Sequence, residues 1–533
     1  MRLGRSICVI AVISVAVLGL AACTTQMNGI QPSPGSFRNT LTSVPGLDQS
    51  ALDVMNKPAY ANGQWAVSVQ DLDSGEQIVS LNADTLFEPA SVAKTYSVGA
   101  AWQKFGPAST IVTPVKSTGQ MVNGTLVGNL ILVGKGDLTM GGRTKPNGTV
   151  DYTNLDHNDA NGVPGATLTT EDPLAGLDRL AAQVKAAGIN TVSGDVVVDD
   201  RLWDQPAELD GQPITPIIIN QNVIDLTTTP TAVGQNAVSA MSPRVAPWSV
   251  DIQVKTVAAG GETRIKVESF DQKTIVLTGT IAADAGPIVN VYAFAYPATY
   301  ARTAYIEALA RAGVTVSADP TAVNPAAALP AVTAIEALPS VATLTSLSFL
   351  QDATYTMKIS YNRGAQTFIC LLAVAAGSRD CDDGLGQAGA VWSKAGLDTS
   401  RAVLIDGSGL PGNMITANSE VQLQKIMAGR PDAAKWRSTM PVLGVDGSLT
   451  KVQARSPAAG KVVGKTGTLA SLDGFNGRYY LPTKALGGYM DTKSGRHFAF
   501  VVMANSSVFK DQEGLFIANE DVGKIAASIQ QSH

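Results

Sequence analysis

Histidine and cysteine are scarce in this sequence. Three histidines (His157, His497 and His533) and four cysteines (Cys8, Cys23, Cys370 and Cys381) are spread over 533 residues without a CxxC or HExxH pairing. That leaves little material for a zinc site. A Ser-His-Asp triad would need one of those histidines, and neither internal one lies in a segment that reads as an active-site loop. Any hydrolytic chemistry is therefore expected to run without histidine. Long runs of one charge sign are missing too, and the formal net charge is only −5, so nothing here could track nucleic acid. What is present is an ordinary globular composition, 45% hydrophobic, in a chain too long for a single core. Two or three domains are expected.

The first residues have the shape of an export signal. Arg2 and Arg5 precede an apolar stretch from Ile7 to Leu20 that is short for a bilayer span, and Leu20-Ala-Ala-Cys23 resembles a bacterial lipobox, whose cysteine is acylated and becomes the new N-terminus. Residues 1–23 are therefore read as a signal peptide with lipidation at Cys23, a plain signal peptide being the alternative. Residues 24–46, rich in Pro, Ser, Gly, Asn and Thr, read as a flexible tether. Export would leave Cys370 and Cys381 as the unclaimed thiols in an oxidising compartment. An even pair suggests a disulfide, with two separately buried cysteines as the alternative.

Past the tether, Trp65 to Gln70 alternates as a strand should, and Ile78 to Leu81 follows after a turn at Asp73-Ser-Gly75. A helix is predicted from Ala90 to Phe105, after Pro89, with Ser91 in its first turn. Residues 118–320 differ. They hold short β-type runs such as Leu130 to Val133, Val196 to Val198 and Thr274 to Leu277, interrupted by helical stretches at Leu174 to Ala187 and Tyr300 to Ala312. The last third returns to mixed patterns, with a helix from Ala365 to Ala376, a buried strand from Phe498 to Met503 and a closing helix from Asp521 to Gln531. The expected architecture is an α+β domain built from residues 47–117 and 321–533 around an inserted, mainly β region at 118–320.

Ser91-Val-Ala-Lys94 fits S-x-x-K, a spacing that puts hydroxyl and amine on one helix face, about one turn apart. The amine can take the serine's proton, and the helix N-terminus favours developing negative charge. Alone the motif is weak, since about one match is expected by chance in a chain of this size. A second one exists at Ser448-Leu-Thr-Lys451. The companion motifs are duplicated as well: S-x-N at Ser80-Leu-Asn82 and Ser360-Tyr-Asn362, and K-[ST]-G at Lys465-Thr-Gly467 and Lys493-Ser-Gly495. Order resolves the ambiguity, because serine peptidases and β-lactamases of this kind use S-x-x-K, then S-x-N, then K-[ST]-G. Ser448 has no S-x-N after it, Ser80 precedes every S-x-x-K, and Lys493 reads as the tip of a hairpin.

The segments around the selected motifs resemble the three-domain, class C penicillin-binding proteins, the D-alanyl-D-alanine carboxypeptidase/endopeptidases. The resemblance spans nearly the whole mature chain: Phe87-Glu-Pro-Ala-Ser-Val-Ala-Lys94, Gly134-Lys-Gly-Asp-Leu138, Gly194-Asp-Val-Val-Val-Asp199, Asp406-Gly-Ser-Gly-Leu410, Pro441-Val-Leu-Gly-Val-Asp-Gly-Ser448 and Gly464-Lys-Thr-Gly-Thr-Leu469. The long gap between Ser91 and Ser360 suits that family's insertion and exceeds what β-lactamases carry. One departure is the stretch Ser471 to Thr483, read as a loop longer than the family pattern before Ala485-Leu-Gly-Gly-Tyr489 resumes.

The resemblance implies a penicillin-binding-protein/β-lactamase-like domain, an antiparallel sheet with helices. It also implies attack by Ser91 on the carbonyl between two D-alanines, with Lys94 as base, Ser360 relaying a proton to the leaving amine and Asn362 holding the substrate amide. Lys465, Thr466, Gly467 and Thr468 would receive the terminal carboxylate, and backbone N–H groups of Ser91 and Thr468 would form the oxyanion hole. No cofactor or metal is implied. The implied partners are peptidoglycan stem peptides, β-lactams as covalent inhibitors and, through Cys23, the outer face of the cytoplasmic membrane or the periplasm. A β-lactamase or a non-catalytic wall-binding protein would share the fold. Two further segments are read as structural: Gly134 to Asp137 as a tight turn whose Asp137 is a candidate to reach the cleft, and Asp156 to Gly162 as a solvated acidic loop.

Overall fold

The computed structural model describes residues 40–533; the signal peptide, Cys23 and the tether up to residue 39 lie outside them. The tether ends earlier than its composition indicates, because Val44 is buried and Leu41 packs against the same core. Helix α1 (Gln49–Met55) opens at Asp48, whose side chain accepts from Ala51 N–H. Strands β1 (Gln64–Asp71) and β2 (Gln77–Leu81) form the expected hairpin. A 3₁₀ turn, Ala90–Ala93, runs directly into α2 (Lys94–Phe105), which stops at Gly106, a residue at φ 81° where a side chain would be strained.

The second segment of the domain contributes α3 (Phe349–Lys358), α4 (Asn362–Ala375), α5 (Asp383–Lys394) and α6 (Ala417–Ala428), then β3 (Val462–Asp473), β4 (Arg478–Asp491), β5 (His497–Phe509) and α7 (Glu513–Ser532). The sheet order is β2-β1-β5-β4-β3, antiparallel throughout. Strand β5 joins the first segment to the last and is covered on both faces. Its residues sort by period two: Phe498, Phe500, Val502 and Ala504 pack towards α1 and α7, and Ala499, Val501 and Met503 towards α2 and α6. Two-sided burial explains why its sequence is a continuous apolar run rather than an alternation. Edge strand β3 carries the third motif.

The insertion is larger than the 118–320 read from composition. Residues 112–117 pair with 340–345 on one side and 130–133 on the other, which pairs in turn with 196–199. Val115, Ala342 and Leu344 belong to the insertion's own core, with Leu132, Val198, Leu226 and Leu277. The chain thus leaves the two-segment α+β domain near residue 112 and returns near 345. Turn residues and short strands blur this boundary in the sequence, whereas the strand pairing defines it.

The insertion packs on the helical side of that domain. Leu138, Val150 and Ile218 enter the core that holds Tyr355 and Phe368. Trp203, Leu209 and Ile214 cover the Cys370–Cys381 disulfide, which links α4 to the segment leading into α5. A bridge closing so short a loop contributes roughly 3 kcal/mol in the loop-entropy account.

Three local expectations change. Asp137 does not reach the cleft. It is fully buried, and its Oδ1 accepts from the N–H groups of Thr139 and Met140, holding the turn. The acidic loop is not solvated at its start, since Asp156 and His157 are buried: Asp156 takes a two-pronged ion pair from Arg143, and His157 Nδ1 lies 2.6 Å from Asp225 Oδ1. The long stretch after the third motif is not a loop but a hairpin extending the sheet, with β3 and β4 paired out to Asp473 and Arg478.

Candidate active site

The 3₁₀ turn that starts α2 brings Lys94 round to Ser91, with Nζ 2.8 Å from Ser91 Oγ. The preceding residue, Ala90, is held at φ 47°, a conformation few side chains adopt, so the turn is imposed by its surroundings. Those surroundings are close. A side chain at Gly467 would put its Cβ 2.2 Å from Pro89 O, so only glycine lets β3 lie against the serine's turn. Lys94 is fully buried, and its Nζ also donates to Asn362 Oδ1 at 2.6 Å and to the backbone oxygen of Ser408 at 2.8 Å.

Asn362 opens α4, and Ser360 stands just before it at φ 62°. That strained residue points its hydroxyl at the third motif, where Lys465 Nζ donates to Ser360 Oγ at 2.9 Å and to Thr466 O at 2.7 Å. Two lysines thus tie the three motifs together: Lys94 joins the first to the second, and Lys465 the third to the second. Lys94 and Lys465 are buried, while Ser91 and Ser360 are partly exposed and Asn362 and Thr468 are open, so both amines lie recessed beneath groups that face solvent.

The Ser408 carbonyl is a part of the site that motif reasoning did not assign. Asp406 holds it in place by accepting from the N–H groups of Ser408, Gly409 and Leu410 and from Asn413 Nδ2. The sequence carries this loop as Asp406-Gly-Ser-Gly-Leu410, but only the fold brings its Ser408 carbonyl to Lys94. Behind Lys94, Thr95 Oγ1 lies 2.8 Å from Val92 O and 2.7 Å from Glu420 Oε2. The hydroxyl has one proton. If it donates to the carbonyl, Glu420 must donate to it, which fits a carboxyl pushed by burial up to about 7.

The rival motifs make contacts of other kinds. Asn82 Nδ2 donates to Trp65 O. Lys493 is exposed in the turn between β4 and β5. Ser448 points its hydroxyl at Thr466 Oγ1, 2.7 Å away, while Lys451 is exposed; no hydrogen bond joins the two among the described residues. Among these residues there is also no cluster of His, Cys, Asp and Glu that could hold a metal ion. A groove of about 490 Å³ runs on from Tyr361, Asn362 and Arg363 to Asn158, Asp210 and Gln212 of the insertion, so the insertion walls the approach to the second motif.

A family model described as D-Ala-D-Ala carboxypeptidase 3 (S13) matches residues 47–520. A D-alanyl-D-alanine carboxypeptidase of Actinomadura sp. (strain R39) is 28% identical over 454 residues, 80% of this chain and 77% of that protein. A penicillin-sensitive carboxypeptidase A of Dictyostelium discoideum is 25% identical over 483 residues, 86% of each. Among solved structures, penicillin binding protein 4 of Haemophilus influenzae superposes with a TM-score of 0.64 at 19% identity, over 88% of this chain and 97% of that one.

Proposed function

As the chain belongs to the D-Ala-D-Ala carboxypeptidase 3 (S13) family, it is a serine-type D-Ala-D-Ala carboxypeptidase/endopeptidase of peptidoglycan, and we propose that Ser91 is its nucleophile and Lys94 the base. The observation that carries this assignment is the Lys94 amine nitrogen, 2.8 Å from Ser91 Oγ and fixed from two other sides by Asn362 and Ser408. In the reaction Lys94 acts as the neutral amine: two of its N–H groups are held by Asn362 and Ser408, and its lone pair takes the hydroxyl proton as Ser91 Oγ bonds to the carbonyl carbon of the penultimate D-alanine. Collapse of the tetrahedral intermediate breaks the C–N bond, and Ser360, linked to Lys465, hands a proton to the departing D-alanine amine. Water then hydrolyses the ester.

Asn362 is open to solvent and would hold the substrate amide. Lys465, Thr466 and Thr468 would hold the terminal carboxylate, and the N–H groups of Ser91 and Thr468 the oxyanion, a contribution of about 3–4 kcal/mol. A β-lactam presents the same carboxylate beside a strained amide and would acylate Ser91. Purified muropeptides ending in D-Ala-D-Ala should lose one D-alanine per chain on incubation, at a rate that stoichiometric benzylpenicillin abolishes. Turnover that persists beside a full penicillin adduct would overturn the assignment.

A peptidase of the cell wall works outside the cytoplasm. No described helix is long and apolar enough to cross a membrane. The residues Leu20-Ala-Ala-Cys23 support export followed by lipid attachment at Cys23. The mass of the N-terminal peptide of the mature protein should show a diacylated or triacylated Cys23; an unmodified Cys23 there excludes the anchor.

A further inference from the structure

Next to the three motifs lies a further lysine that the mechanism above does not use. Lys484 sits on β4 directly opposite Thr468 of β3, is buried, and donates from Nζ to Thr468 Oγ1 at 2.6 Å. Among the described residues this is its only hydrogen-bond partner, and no carboxylate pairs with it. By period two it shares the sheet face of Leu486, which packs in the α1 and α7 core, and not the face of Ala485, which packs towards α2. An amine at such a place is costly for folding. A methylene chain ending in a methyl would fill the same space without losing hydration, so its presence calls for a role that an apolar residue cannot fill.

The role follows from the proton count of a hydroxyl. Thr468 Oγ1 has one proton and two lone pairs. With one lone pair occupied by the Lys484 N–H, the proton is left to point outwards, and Thr468 is the exposed member of the pair. A hydroxyl held in this way is an oriented donor to an anion in the cleft, with a positive charge directly behind it. Thr466, on the same face, shares a hydrogen bond with the Ser448 hydroxyl. Burial pulls the Lys484 amine down to about 7, and a carboxylate arriving at Thr468 would raise it again.

We propose that Lys484 is a positioning residue for the terminal carboxylate of the substrate, acting through Thr468 Oγ1 as a second cation beside Lys465. The inference rests on the reading of Thr468 as a carboxylate-binding residue given above, and deepens it into a statement about selectivity between acid and amide termini.

The test compares release of the last residue from a peptide ending in D-Ala-D-Ala with release from the same peptide as its C-terminal amide. It uses the full mature chain, in the wild type, Lys484→Met and Lys484→Met in a Thr468→Val background. The expected result is a KM for the acid about tenfold higher in Lys484→Met with kcat within about twofold, little change for the amide, and so an acid-to-amide preference about tenfold lower. With Thr468 already valine, the lysine substitution should change that preference no further. Equal losses on both substrates, or an unchanged preference, would reduce Lys484 to a packing residue and overturn the proposal. A wild type indifferent to amidation would remove the carboxylate reading itself, and this inference with it; a discriminating wild type with an unaffected variant removes the inference alone. Should Lys484→Met fail to fold by thermal melting, Lys484→Gln, which keeps a donor and loses the charge, is read in the same way.

Discussion

Ser91→Ala is expected to abolish covalent labelling by a fluorescent penicillin, and Ser448→Ala to leave it largely intact. The two serines share their local spacing to a lysine, so the pair of variants isolates what the fold adds. Ser91 has its lysine at 2.8 Å in a buried, three-sided setting, whereas Ser448 is bonded to Thr466 and its lysine is exposed. The nucleophile supplies the bond itself, so no binding energy from elsewhere in the cleft can stand in for it. Ser448→Ala should show a modest effect of a different kind, through the freed Thr466 hydroxyl: weaker capture of penicillin, with the same final stoichiometry. Peptide mapping of the labelled wild type decides the matter, and an acyl adduct on Ser448, or anywhere but Ser91, would overturn the assignment.

Lys94→Ala should lower the acylation rate constant by about 10²–10⁴-fold, the range associated with a positioned general base. The variant also leaves the Ser408 carbonyl and Asn362 Oδ1 without their donor, a loss of about 1–3 kcal/mol for a buried acceptor. That is small against the stability of a domain, so the protein should remain folded by circular dichroism, with a lower melting temperature. The distinguishing measurement is the single-turnover rate of penicillin acylation against thermal stability in the same preparation. A folded variant acylating within tenfold of the wild type would exclude Lys94 as the base, and the proton would then have to pass to another group.

Much of this protein can be read without its structure because much of it is local. Three residues along a helical turn bring a hydroxyl to an amine, and that local spacing is what makes the meeting of Ser91 and Lys94 legible. The helices at 175–186, 297–311 and 362–375, and the strand around Phe498 to Met503, follow from spacing that each segment carries within itself. The order of the three motifs then selects among duplicates that spacing cannot separate.

What local pattern could not supply is everything decided by partners far along the chain. Lys94 meets Asn362 across 268 residues, and Lys465 meets Ser360 across 105. The boundary of the insertion was misplaced because residues 112–117 and 340–345 look like ordinary connecting segments until they pair. Asp156 and His157 read as solvent-facing because charge suggests water, and only the approach of Arg143 and Asp225 makes their burial tolerable. Lys484 belongs with these: no motif marks it, and its meaning depends on a register that puts it opposite Thr468. The sequence by itself determined the class of chemistry and already pointed to the pair proposed as nucleophile and base, since Ser91 and Lys94 lie within one turn of each other. The tertiary structure alone decided which groups support them, because burial and long-range register depend on how the whole chain closes around the site.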